Sequence, residues 1–162
     1  MAQVTCSKAD LNNPVDAAAT VTLLNTYATD LFGGLEPLSD YARENLASEL
    51  VKRPTAHVFI ARVDDQLAGL AICFEGFNTF ACQPLLNMHN FAVVPQFRRK
   101  GVGGELMMFV ESFARSIGCC KLTLEVLQGN LPAQKLYTSC GFGGYESDDI
   151  NGHALFWQKN LN

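Results

Sequence analysis

The stretch Phe91-Ala-Val-Val-Pro-Gln-Phe-Arg-Arg-Lys-Gly-Val-Gly-Gly-Glu-Leu-Met-Met-Phe-Val110 constrains the fold more than any other part of the chain. An apolar strand runs into a basic, glycine-rich turn, and the turn opens an amphipathic helix. A helix start leaves unpaired N–H groups and carries partial positive charge, so it receives anions. Gly101, Gly103 and Gly104 add no Cβ atoms, which lets backbone donors close around phosphate oxygens. Arg98, Arg99 and Lys100 add full charges beside them. The segment reads as a pyrophosphate cradle set between a strand and a helix.

Two common phosphate-binding turns fail the comparison. A Walker loop needs Gly-Lys-Ser/Thr, and Gly101-Val-Gly-Gly-Glu105 has neither the lysine nor the hydroxyl. A dinucleotide fingerprint needs a third glycine where Leu106 stands, and it normally lies near the chain start.

The remaining pattern supplies one layered domain over residues 1–162. Gln3–Ser7 reads as a short strand. Asn13-Pro14 starts a helix that the apolar spacing carries to Leu31, and Gly33-Gly34 stops it. Ser39 caps a second helix, which ends before Pro54. His57–Val63 and Leu67–Phe77 form a hairpin around Asp64-Asp65-Gln66, and Leu85–Val94 is a third long strand. After the helix Gly101–Ile117, Cys120–Leu127 alternates as a strand should. Asn130 caps a short helix that closes at Gly141, and Phe142–Tyr145 with Ala154–Gln158 read as a last pair of strands. The expected class is therefore α/β (α+β): about six or seven strands in one sheet with about four helices.

Composition narrows the partners. With 48% hydrophobic and 17% charged residues the chain has enough apolar content for a core, and its net charge of -4 argues against nucleic acid. No apolar run reaches the ~18 residues of a membrane span, and the first residues lack the basic-then-apolar order of a signal peptide, so the cytoplasm is the expected address. The six cysteines show no Cys-x-x-Cys spacing, and no metal site is expected.

Arg98-Arg-Lys-Gly-Val-Gly103 resembles the Arg/Gln-x-x-Gly-x-Gly/Ala signature of the GNAT superfamily of acetyl-CoA-dependent N-acetyltransferases. Asn130-Leu-Pro-Ala-Gln-Lys-Leu-Tyr137, followed by Gly141-Phe142, is similar to the second motif of that family. The resemblance implies a mixed, twisted sheet whose strands ending at Val94 and Leu127 splay apart to admit the cofactor. It implies backbone contacts from Phe91, Ala92 and Val93 to the pantetheine arm. The pyrophosphate falls to Arg98, Arg99, Lys100, Gly101, Val102, Gly103 and Gly104, while Asn130 and Ala133 line the arm and Tyr137 stands near the thioester sulfur. Phe77-Asn-Thr-Phe80 also resembles the diamine (spermidine/spermine) acetyltransferase branch, with His89-Asn90 where that branch has two acids.

The expected reaction is attack of a primary amine on acetyl-CoA. An alkylamine with a pKa near ~10.4 is protonated at neutral pH, so its proton must be accepted. His89, whose side-chain type titrates near ~6.5, is the first candidate base and Glu125 the second. Tyr137 suits the opposite task, donating to the departing sulfur. His57 and His153 read as structural or surface residues. A small-molecule amine is the first choice of acceptor, in a pocket built from the segments between Val15 and Leu50, the Phe77–Phe80 loop and the chain end. A protein or peptide amine is the alternative, and a non-catalytic acyl-CoA sensor is the rival outside enzymes. An exposed last strand allows a homodimer.

Overall fold

The computed structural model describes residues 3–144, 152 and 154–161. Among them a sheet of five strands runs in the order β1 (Val4–Lys8), β2 (Ala56–Val63), β3 (Gln66–Asn78), β4 (Gln83–Val93) and β5 (Leu122–Leu124). The first four are antiparallel to their neighbours, and β5 pairs with β4 in parallel. Asp64 and Asp65 both take positive φ, 46° and 65°, between the paired residues Val63 and Gln66. That is the two-residue turn whose twist matches a hairpin.

Strand alternation divides the core in two. Val58, Ile60, Leu70 and Ile72 face α1 (Pro14–Ala28) and α2 (Asp40–Val51), packing with Leu23 and Leu50. Phe59, Ala61, Ala71 and Cys73 face the other way, against α3 (Val102–Ser116), whose Val102, Leu106, Met107, Val110 and Ala114 are buried. This buried stripe is the apolar face of the expected amphipathic helix, with Phe109 and Phe113 half-buried at its margin. The fourth helix, α4 (Leu131–Ser139), adds Tyr137 to the same layer.

Three expectations are corrected. The first helix ends at Ala28, not Leu31, because the chain folds back over its last turn: a Cβ on Gly33 would lie 1.8 Å from the Tyr27 carbonyl oxygen. Only glycine allows that approach. The strand expected over Cys120–Leu127 shrinks to Leu122–Leu124, since β4 offers it partners only from Leu86 to Met88. No strand follows α4 among the described residues. Phe142–Gly144 and Ala154–Gln158 have no regular structure, and Leu155, Phe156 and Trp157 are exposed, so the described residues form five strands against the six or seven expected. Tyr145 and His153 lie outside the described residues.

One irregularity positions the site. Ile72 pairs with Asn90 but Cys73 pairs with Met88, which leaves His89 as the unpaired extra residue of a β-bulge in β4. Upstream of it, the Leu86 N–H points to β5, donating to the Lys121 carbonyl at 3.1 Å. Downstream, the Val94 N–H points to β3, donating to the Ala68 carbonyl at 2.8 Å. By the two-residue repeat, the backbone groups of Ala92 therefore face β3, and those of Phe91 and Val93 face away from it, where β5 has already ended.

Candidate active site

Between that vacated edge of β4 and the start of α4 lies a cleft of about 430 Å³. The turn after β4 supplies its basic end. Pro95–Phe97 form a single 3-10 turn, Arg99 adopts φ 61° and Gly101 φ 83°, so successive N–H groups turn inward before α3 begins. Gly101 is the residue before the helix and the Glu105 N–H is the first to bond back to it, at 3.1 Å. The amides of Val102, Gly103 and Gly104 have no partner within the helix by position.

The two helical glycines do different work. A Cβ on Gly103 would sit 2.8 Å from Leu136 Cδ2, so this glycine lets α3 and α4 approach. A Cβ on Gly104 would meet no protein atom within 4 Å, although Gly104 lines the cleft. The space in front of it is therefore open, beside helix-start amides of the kind that receive anions.

At the other end stands Tyr137, only 8% exposed. Its ring lies edge-on to Phe91, with centroids 5.9 Å apart, and tilted on Phe142 at the same separation. Burial, and secondarily the neighbouring Tyr27, push its phenol up to about 12, so it is a proton donor throughout the neutral range. Asn130 caps α4 by accepting from the Ala133 N–H at 3.2 Å, and both residues line the cleft.

Most of the expected residues come together here. Phe91, Ala92, Val93, Arg98, Arg99, Gly101, Gly103, Gly104, Asn130, Ala133 and Tyr137 all border the cleft. Ala92 does so with its main chain already turned to β3. Val102 buries its side chain in the core at 1% exposure, leaving only its amide for a ligand. The Lys100 ammonium lies 5.8 Å from the centroid of the Phe97 ring rather than in the cleft lining. His89 is exposed, with its ring 5.7 Å from Phe74 on the α1 side of the sheet, and is not among the lining residues; neither is the exposed Glu125.

The acceptor-side expectations divide as well. The stretch after α1 does contribute, through Asp30 and Phe32 together with Tyr27 at the helix end. The Phe77–Phe80 turn does not: Phe77 is 57% exposed and Phe80 fully so, and neither lines the cleft. Tyr27 had the spacing of a core residue, and Asp30 and Phe32 sit in a turn without a motif, so nothing local marked them. Among the described residues no group of three or more His, Cys, Asp or Glu is placed to hold a metal, and no helix is long and apolar enough to cross a membrane.

A strand with a free inner edge, a basic helix start and a protonated phenol border one cleft, an arrangement suited to an acyl-CoA-type transferase. The chain belongs to the Acetyltransferase (GNAT) family, whose profile matches residues 20–142. It is an acetyltransferase, and the donor used by its family is acetyl-CoA. It is similar to a thialysine N-ε-acetyltransferase of Caenorhabditis elegans, 27% identical over 75% of this chain and 81% of that protein. A [ribosomal protein bS18]-alanine N-acetyltransferase of Haemophilus ducreyi is 41% identical over a shorter stretch, 38% of this chain and 44% of its own. Among solved structures, AAC(6')-Iy in complex with the bisubstrate analogue CoA-S-monomethyl-acetylneamine superposes with a TM-score of 0.75, at 18% identity over 98% of this chain and 99% of that one.

Proposed function

We propose that this acetyltransferase acetylates the primary amine of a small molecule, with acetyl-CoA and the amine held together in the cleft. The observation that carries this reading is that Tyr27, Asp30 and Phe32, from outside the cofactor turn, line the same cleft as Tyr137 and so add a second wall to it. Similarity to a thialysine acetyltransferase points the same way.

Each part of the chain has a task in this reading. The amides of Val102, Gly103 and Gly104, with Arg99, hold the diphosphate. The outward backbone groups of Phe91 and Val93 extend the sheet onto the pantetheine arm. Acetyl-CoA supplies the activated acyl carbon. A new C–N bond forms as the C–S bond breaks, and the Tyr137 phenol donates its proton to the sulfur. The amine proton goes to water at the cleft mouth, since neither His89 nor Glu125 lines the cleft. The substituted positions His89-Asn90 remove the two acids of the diamine branch, so a polyamine is not the favoured acceptor.

A peptide amine is the second reading, favoured by the exposure of Phe77 and Phe80 and by the bS18-alanine acetyltransferase relative. CoA-thiol release is measured with diamines, amino acids, aminoglycosides and short peptides in parallel. Release with one small-amine class and none with peptides is the expected result. Release with peptides alone transfers the assignment to the second reading, and acetyl-CoA binding with no release from any amine overturns both in favour of a sensor.

A further inference from the structure

Arg98 opens the basic turn and stands beside the phosphate cradle, yet its guanidinium is committed elsewhere. Nε donates to the Val93 carbonyl at 3.0 Å, and Nη2 donates to Asp30 Oδ2 across 68 residues of sequence. Asp30 is itself the knot of the turn after α1. Its other carboxylate oxygen accepts from the Leu31 N–H at 2.8 Å, and its carbonyl accepts from Gly33 at 3.0 Å and Leu35 at 3.3 Å. The Tyr27 hydroxyl closes the same turn by donating to the Phe32 carbonyl at 3.2 Å.

Beside Arg98 the turn and β4 leave a space of only about 10 Å³, no more than one water molecule, bordered by Leu23, Thr26, Ala92 and Val94. Asp30 keeps its charge at the junction. Its partial burial works against ionisation, but the Arg98 hydrogen bond, the Leu31 N–H and the Arg98 charge together hold its carboxyl below the usual range.

We propose that Arg98 is a positioning residue: it ties the Asp30 turn to the cofactor strand and thereby sets amine affinity, not cofactor affinity. The proposal rests on the acceptor reading of the Tyr27–Phe32 wall. The bridge also satisfies the outward carbonyl of Val93, leaving the Val93 N–H and the Phe91 backbone groups for the pantetheine arm. A guanidinium spent on a carboxylate and a carbonyl leaves the diphosphate to Arg99 and the helix amides.

The test compares Arg98→Gln, Asp30→Asn and the double variant, each first checked for an unchanged thermal transition or corrected for it. Acetyl-CoA binding is followed by calorimetry, and kcat and KM are measured for the best amine. The expected result is an amine KM raised about 5- to 10-fold in both single variants, the range of a partly desolvated ion pair. The double variant should be no worse than either single one, acetyl-CoA Kd should stay within about twofold, and Arg98→Lys should recover part of the loss. A Kd for acetyl-CoA that rises tenfold in Arg98→Gln alone overturns the proposal and makes Arg98 a phosphate ligand. Hydrogen exchange at the Gly33 and Leu35 amides gives a readout that needs no amine: faster exchange in Arg98→Gln supports the tie, and unchanged exchange overturns it. Absence of any amine turnover in the natural chain would sink the acceptor reading while leaving that exchange result standing.

Discussion

Gly104→Ala separates binding from folding more cleanly than any other substitution in the site. Gly104 lies in the first turn of α3 with a helical φ, and an added Cβ meets no protein atom within 4 Å. Replacing glycine by alanine inside a helix stabilises by roughly 0.5–1 kcal/mol, because the unfolded chain loses freedom and the helix does not. For a domain of this size that raises Tm by about 1–4 °C. The same methyl group fills the cradle and displaces phosphate oxygens from one or two amides. Charge-assisted hydrogen bonds contribute about 1.5–3 kcal/mol each, so acetyl-CoA Kd should rise about 10- to 100-fold. Calorimetric titration and thermal unfolding, run on the same preparations, read both quantities. The variant should unfold at a higher temperature alone and gain less from saturating acetyl-CoA than the natural chain does. Affinity within twofold of the natural chain would refute the placement of the diphosphate at Gly104, and a lowered Tm would refute the claim that the space is empty of protein.

Three further outcomes follow from the geometry. Tyr137→Phe should bind acetyl-CoA normally and lose about 10²-fold or more in kcat, the usual cost of removing a proton donor. Its stability profile carries an independent signature. The folded-state value near 12 exceeds the unfolded value of 10.0, so the natural chain holds that stability below pH 10 and loses it as the pH rises toward 12, by roughly 2–3 kcal/mol, and the Phe variant should lack this part of the decline in alkaline denaturant titrations. Arg99→Gly removes a side chain from a left-handed backbone, φ 61°; folding should improve by about 1 kcal/mol while acetyl-CoA binding weakens, measured by the same two methods. His89→Ala should leave the pH–rate profile in place, since the imidazole packs beside Phe74 outside the cleft lining; a lowered rate together with loss of the acid limb of the profile would return His89 to the mechanism.

What could be read from the sequence was what local chemistry determines. The cradle is a contiguous turn, and its glycines and charges announce it whatever surrounds them. Asn130 and Tyr137 are fixed to each other by one short helix, so their joint arrival at the cleft was equally visible. The opposite wall was not legible, because Tyr27 becomes a lining residue only when the chain doubles back through Gly33. Arg98 was placed with the phosphate by its neighbours in sequence, whereas its partner Asp30 lies 68 residues away. Phe77 and Phe80 suggested part of the acceptor pocket by residue type, but the end of β3 and the turn after it hold them at the far end of the sheet from Val93. The strand over Cys120–Leu127 had the right alternation throughout, and only the course of its partner decided how much of it would pair.

The extra residue at position 89 makes β4 a strand read in two frames. Up to Met88 the even-numbered residues address β5, and from Phe91 onward the odd-numbered ones inherit that direction. A side-chain change at His89 leaves both frames in step, and excising the residue would join them into one unbroken alternation, with Met88 still opposite Cys73 and Asn90 still opposite Ile72. Phe91 would keep its backbone turned away from β3, but β4 would lose the bend and added twist that a bulge imposes just before the vacated edge. In this enzyme the length of one strand, counted to the single residue, is as much a part of the active site as any functional group it contains.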